Sequence, residues 1–371
     1  MKNELKNNIY LPALDGLRFL AIAGVLIFHI VNYLYLNHPN HFFQTFIKNN
    51  ILDISKYGRF GVELFFIISG IIIPHSIEKH NKKERIKLLK IFYIRRIFRI
   101  FPPYFIIISC SLIFNLFLFN SINIENGINS YISSIFFIHN MVYPGQFPFL
   151  CGAAWSLEIE MQYYLLAPIL FLIIYKKPKR LIFTLKIFFF LLFFIFNNIG
   201  YQPVVKSILS YAHFFILGEI LFSIKFQGNF QEKHFYFSLL SLISSYIFIY
   251  ILKLNYKYNL LLILFYKLII LLIIFTGIFY ILYMNNLKIL IIKIFAKIGT
   301  ISYSIYLIHY PIIIIFGRYI LTLTNDINFY FAFALNVIIF LTVILFFSYA
   351  FFIVVERPLK LLLLDSIKIS K

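Results

Sequence analysis

A chain of 371 residues that is 61% hydrophobic, 20% aromatic and only 13% charged is not an ordinary soluble domain, in which charged residues make up about a quarter. Apolar runs of about twenty residues recur along its whole length, the pattern of helices that cross a bilayer, and the mean hydropathy is +0.88. The formal charge of +20 must then be read by where it falls along a membrane protein.

Hydropathy places ten spans, at 11–36, 59–76, 100–120, 153–175, 181–196, 207–224, 236–252, 260–284, 300–323 and 329–355. An even number puts both termini on one side. The N-terminus with Arg18 and the segments 77–99, 176–186, 225–234, 285–299 and 356–371 hold 26 of the 34 Lys and Arg residues; the opposite loops hold six, and Lys267 and Arg318 fall within spans. By the positive-inside rule the basic set is cytoplasmic. The expected fold is therefore an all-α polytopic membrane protein with both termini cytoplasmic. It is expected to form a single transmembrane domain over 1–371 in the cytoplasmic (inner) membrane, with no cleavable signal peptide and no appended soluble domain. Basic residues on short loops at a bilayer surface speak against nucleic acid as a partner. The lack of a clear internal repeat speaks against an inverted-repeat transporter. Cys110 and Cys151 carry no metal or redox spacing and read as small apolar fillers.

The first span contains DGLRFLAIAGVLIFH, residues 15–29. Eleven residues at about 100° each bring Arg18 and His29 to within about 20° of one face, roughly 16 Å apart along the axis. Arg18 is either a cytoplasmic anchor or part of a site. His29 lies well inside, where an ionisable residue is a functional candidate. The second span opens with GRFGVELFFIISG, residues 58–70. It runs outside to inside, which puts Glu63 about a turn below the outer end, near the expected depth of His29. A carboxylate there would orient the ring and stabilise the imidazolium, as a general base requires. Ser69 and Gly70 suit close approach of a helix or a ligand.

RRIFRIFPPY, residues 95–104, places Arg95, Arg96 and Arg99 just cytoplasmic of the third span. Their planar forks suit phosphate oxygens; a lipid-headgroup patch is the plainer reading. Pro102 and Pro103 are expected to end or kink the helix and hold Tyr104 near the interface. The segment 121–152, with Pro144 and Gly145 and no Lys or Arg, reads as a loop or re-entrant stretch lining an outer cavity. WSLEIEMQYYLLAPIL, residues 155–170, opens the fourth span. Trp155 reads as an interface anchor, Glu158 as a solvated acid, and Glu160 as a buried one near the depth of His29. Glu219 in the sixth span is another inward-facing acid. In ISYSIYLIHYPI, residues 301–312, Tyr303 lies near the cytoplasmic end and His309 reads as a satisfied core histidine. Arg18, Arg95, Arg96 and Arg99 thus form a candidate phosphate site, and His29, Glu63 and Glu160 a candidate acid–base site. An acyl-CoA, with its phosphates at one end and its acyl group on a long arm, has the shape to reach both.

The chain resembles the acyltransferase-3 family, multi-span enzymes that O-acetylate lipopolysaccharide O-antigens and exopolysaccharides. The resemblance rests on LPALDGLRFLAIAGVLIFH, GVELFFIISG, RRIFRIFPPY, WSLEIEMQYYLLAPIL, and GTISYSIYLIHYPI with the terminal VERPLK, in the family's order. It covers nearly the whole chain. It implies an acyl donor, usually acetyl-CoA, taken from the cytoplasm, and an acceptor hydroxyl on a surface or lipid-linked polysaccharide. It also implies that Arg18 and His29 are the essential pair and that the arginine motif binds the donor. Two departures stand out: Glu63 occupies a position usually held by Asp, and Met161 replaces a second glutamate common after Glu160.

The expected site therefore has His29 as base on the acceptor hydroxyl, Glu63 orienting it, and Glu160 placing the acceptor or the histidine. Arg18, Arg95, Arg96, Arg99 and Tyr104 hold the donor. No metal is expected, because the histidines lack ligand spacing. A proton-coupled transporter or flippase of a lipid-linked glycan is the alternative, since buried His and Glu residues also build proton relays. A polyprenyl-phosphate glycosyltransferase would carry an acidic pair in an outer loop, and 37–58 and 121–152 hold none.

Overall fold

The computed structural model describes residues 12–78, 85–118, 123–174, 178–198, 206–227, 290–324 and 328–362. Among the described residues it is all-helical, with no strand. Helix α1 (Pro12–Asn37) begins on a proline, whose fixed φ suits a first helical turn. A short excursion follows through α2 (His41–Asn50), α3 (Leu52–Ser55) and a 3₁₀ turn over Lys56–Arg59. The Asn40 side chain caps α2 by accepting from the Phe42 and Phe43 amides, the usual way to satisfy free N–H groups at a helix start. Next come α4 (Phe60–Glu78), α5 (Arg85–Ile113), α6 (Ile124–Ile135), α7 (His139–Val142), α8 (Trp155–Ile174), α9 (Lys179–Asn198) and α10 (Ile208–Gln227). The last three are α11 (Leu290–Thr300), α12 (Ser302–Thr322) and α13 (Phe329–Phe351).

Among the described residues, five helical stretches are long and apolar enough to cross a membrane: Ala13–Asn37, Leu52–Pro74, Leu89–Phe117, Ser302–Thr322 and Tyr330–Leu362. They match the first, second, third, ninth and tenth expected spans. The fourth, fifth and sixth are present as the helices α8, α9 and α10. The seventh and eighth, 236–252 and 260–284, lie outside the described residues. Large apolar side chains face outward along these helices, among them Leu166, Ile169 and Ile173 on α8 and Leu345, Phe346 and Tyr349 on α13. A soluble monomer rarely exposes so continuous an apolar surface; in lipid it costs nothing. The chain is a membrane protein.

The structure revises two local expectations. Pro102 and Pro103 lie inside α5, which neither begins nor ends at them. The prolines leave the Phe98 and Arg99 carbonyls without their helical donors, a loss that helices in a bundle tolerate; in the same turn Tyr303 Oη donates to Ile100 O at 2.7 Å. The arginine motif is thus carried on the spanning helix itself rather than on a loop beside it. The segment 123–152 is partly helical, with α6 laid against α5. It turns at Phe137 (φ 56) and Gly145 (φ 77).

Small residues bring the central helices into backbone contact. Gly58 of the 3₁₀ turn meets Gly24 on α1, Gly61 meets Ala21 O where α4 crosses α1, and Gly70 meets Gly218 where α4 crosses α10, leaving no room for a Cβ at Gly58, Gly61, Gly70 or Gly218. Close approach of this kind replaces the hydrophobic drive that lipid cannot supply. It also sinks the start of α4 to the middle of α1. The core is built around α1, α4 and α12, with Leu17, Ile22, Phe66, Ile67 and Ile305 among its fully buried side chains.

Candidate active site

A cavity of about 700 Å³, mouth included, opens between α1, α4, α5, α8 and α12. Arg18, Arg96 and Arg99 line it together with Glu160, Ser69, Tyr164, Tyr303 and Tyr306. Each reaches it for a local reason. Arg18 is nearly two turns into α1, ion-paired with Asp15 about one turn earlier. Arg96 and Arg99 are three apart on α5 and so share a face. The Arg96 guanidinium lies over the Tyr164 ring, 5.0 Å from its centroid, and 5.4 Å from that of Phe92. Glu160 Oε1 accepts from Ser69 Oγ at 2.7 Å and from Tyr164 Oη. Three guanidinium groups face two carboxylates, Asp15 and Glu160, so the cavity keeps a positive charge. A partly buried charge without a partner is costly, and an anionic ligand would relieve it.

The structure divides the expected donor set. Arg18, Arg96 and Arg99 converge on the cavity. Arg95, the neighbour of Arg96 in sequence, is exposed and outside the lining, because successive helical residues point about 100° apart. Tyr104 is fully buried rather than at the interface, stacked on Phe137 at 5.0 Å, and is not part of the cavity wall.

The expected acid–base set is divided as well. Glu160 joins the arginines, not His29. Continuing the antiparallel register of Gly58 on Gly24 and Gly61 on Ala21 puts the Cα of Glu63 level with Phe19 and Leu20. That is about ten residues, or roughly 15 Å, short of His29 along the axis. No hydrogen bond or ion pair joins Glu63 to His29, and the buried Glu63 Oε2 has no partner. Glu158, expected to be solvated, is fully buried. It accepts from the His139 and Asn140 amides at 3.1 and 2.8 Å and so ties α7 to α8. Glu219 is paired with Lys186 at 3.4 Å and accepts from Tyr163 Oη at 2.9 Å.

What His29 does meet is α12. Its ring lies 5.1 Å from that of His309 and 5.7 Å from that of Tyr310. Tyr306, one turn before His309, lines the cavity with its ring 5.5 Å from that of His309. Its hydroxyl is held by Ala153 O at 2.7 Å and Ser156 Oγ at 2.6 Å. Cavity and histidine pair are therefore adjacent, with Tyr306 between them. The segment 123–152 reaches this point, where Gly152 packs directly on Tyr310. Ser156, Tyr164 and Tyr306 were not singled out in the sequence. The spacing of Tyr303, Tyr306 and His309, three residues apart each time, was the available signal for Tyr306. The terminal VERPLK motif is anchored nearby: Glu356 accepts from Ser304 Oγ at 2.5 Å and pairs with Lys360 at 2.5 Å.

Fold and site together define a helical membrane protein with a cationic cavity set inside its bundle. The chain belongs to the acyltransferase domain family, whose model matches residues 11–356. It is similar to the peptidoglycan O-acetyltransferase OatA of Listeria monocytogenes, at 31% identity over 185 residues that make up 47% of this chain and 26% of that protein. The O-acetyltransferase OatA of Staphylococcus aureus is 33% identical over 187 residues, 47% of this chain and 27% of that protein. A putative O-acetyltransferase of Staphylococcus aureus is 30% identical over 185 residues, 48% and 27% of the two chains. The match thus spans about a quarter of the length of these curated relatives. No solved structure matches the chain.

Proposed function

We propose that this protein is a membrane O-acyltransferase that moves an acetyl group from acetyl-CoA, taken from the cytoplasm, to a hydroxyl of a cell-surface glycan. The observation that carries this reading is the junction of the cationic cavity with His29 through Tyr306. Arg18, Arg96 and Arg99 hold the donor phosphates by charge-assisted hydrogen bonds. Helix α1 runs unbroken from Arg18 to His29, so the roughly 16 Å between them is a fixed distance for the pantetheine arm to cover.

His29 takes the acceptor proton as the hydroxyl oxygen attacks the thioester carbonyl. The C–S bond breaks and the proton passes to the departing sulfur. Glu63, about ten residues short of His29 along α1 by the glycine register, takes no part in this step. Glu160 braces the cavity wall through Ser69 and Tyr164. The relatives' names favour a peptidoglycan-type acceptor over the lipopolysaccharide or exopolysaccharide that the motifs alone suggest.

The test is purified protein in lipid nanodiscs, given radiolabelled acetyl-CoA and cell-wall glycan fragments. Labelled, ester-linked glycan should form, and His29→Gln should reduce its formation by about a hundred- to ten-thousand-fold. Proton-coupled glycan flux in liposomes with no thioester consumed would replace this reading with a transporter.

A further inference from the structure

The expected partner of the base, Glu63, makes no hydrogen bond to it. A second histidine ring lies beside it instead, and no hydrogen bond joins that ring to His29 in this structure either. His309 is fully buried. Its Nδ1 lies 2.7 Å from Tyr306 O and 3.2 Å from Ile305 O. Carbonyl oxygens only accept, so Nδ1 carries the proton. In the neutral ring Nε2 is then a bare acceptor, and it is buried with no partner. An orphaned buried acceptor is uncommon and costs stability, so it calls for an explanation. The ring beside it is that of His29, tilted by 54° with centroids 5.1 Å apart. His29 itself is only half-buried.

We infer that His309 is a positioning residue, whose unpartnered Nε2 accepts an N–H from the neighbouring His29 ring when substrate engages the site, and so holds the other nitrogen of His29 as the lone pair that faces substrate. This rests on His29 being the base. The logic is that of any oriented imidazole: a partner that binds one ring N–H fixes the tautomer and steadies the charge that develops. Here the partner is a neutral histidine whose own tautomer is set by two backbone carbonyls. In the transfer step the acceptor's O–H proton moves to the free nitrogen of His29, the C–O bond forms as C–S breaks, and His29 returns that proton to sulfur. His309 neither gains nor loses a proton. Because Tyr306 supplies one of the two carbonyls and also lines the cavity, the same turn of α12 serves both.

The experiment compares His309→Leu, which removes the acceptor, with His309→Gln, whose Oε1 replaces Nε2 as acceptor. Initial rates are measured in nanodiscs at varied acetyl-CoA. His309→Leu should lower kcat by about ten- to a hundredfold, the worth of one hydrogen bond to a charged group, with the acetyl-CoA KM within about twofold. His309→Gln should recover most of the loss. Full activity in His309→Leu overturns the inference, as does a loss in His309→Gln as deep as in His309→Leu, which would mark a packing role. If His309→Leu does not fold, histidine-selective 15N spectra of the wild type and His309→Gln with glycan acceptor present decide. His29 should show one tautomer in both, and a fast-averaged mixture in the wild type overturns the inference. His29→Gln separates the two readings. Activity retained there overturns the base assignment and this inference together, whereas activity lost there but kept in His309→Leu overturns the inference alone.

Discussion

Substitution of the two adjacent arginines of the RRIFR motif separates a donor site from a lipid anchor. Arg96 points into the cavity and lies over Tyr164, whereas Arg95 is exposed outside it. Arg96→Gln removes a charged donor to phosphate, about 1.5–3 kcal/mol, or about a ten- to hundredfold rise in the acetyl-CoA KM at tenfold per 1.4 kcal/mol. It also removes the cation over the Tyr164 ring, about 0.5–1 kcal/mol at a partly exposed site, and so loosens the hydroxyl that Glu160 accepts. Arg96→Lys keeps the charge but not the fork and should fall between the wild type and Gln. Arg95→Gln should change KM by no more than about twofold, as surface substitutions do. The assay is the initial rate of acetyl transfer in nanodiscs, with donor varied at fixed acceptor and the acceptor KM as control. Equal effects of the two Gln variants would show that the helix face does not matter and return the whole cluster to the lipid-anchor reading. An unchanged donor KM in Arg96→Gln would remove the cavity from donor binding.

Gly61→Val sets a side chain against Ala21 O and should destabilise the α1–α4 crossing by about 1–3 kcal/mol, read as a lower melting temperature in detergent. Gly145→Ala, with a φ of 77 but nothing within 4 Å, should cost only about 1 kcal/mol of backbone strain. Glu158→Gln loses one of the two acceptors that hold the His139 and Asn140 amides and should weaken that attachment by about 1.5–3 kcal/mol; limited proteolysis should then cut the segment around Tyr143–Gly145 sooner than in wild type. For topology, Lys179→Cys should react only with thiol reagents that reach the cytoplasm, and Glu125→Cys with impermeant reagents added outside. Both positions are exposed, and the reverse pattern would invert the proposed orientation.

Membrane insertion was legible in the sequence because it depends on local quantities, namely the length and apolarity of each run. The extent of α1 and the shared face of Arg18 and His29 followed from helical periodicity alone. The same local rule located the arginine motif and the spacing of Tyr303, Tyr306 and His309. Depth and partnership were not local. Spans that each start at the membrane surface would put Glu63 and Glu160 beside His29. Gly58 and Gly61 let α4 begin against the middle of α1 instead, and Glu160 is drawn to Ser69 and Tyr164 in the arginine cavity. Which of two adjacent arginines faces inward, and which histidine lies against His29, depend on how five helices cross. Those crossings are set by contacts between residues as far apart as Gly24 and Gly58, Gly70 and Gly218, or His29 and His309. A hydropathy pattern carries the face of each helix but not its rotation or height against its neighbours, so only the packed bundle decides the site.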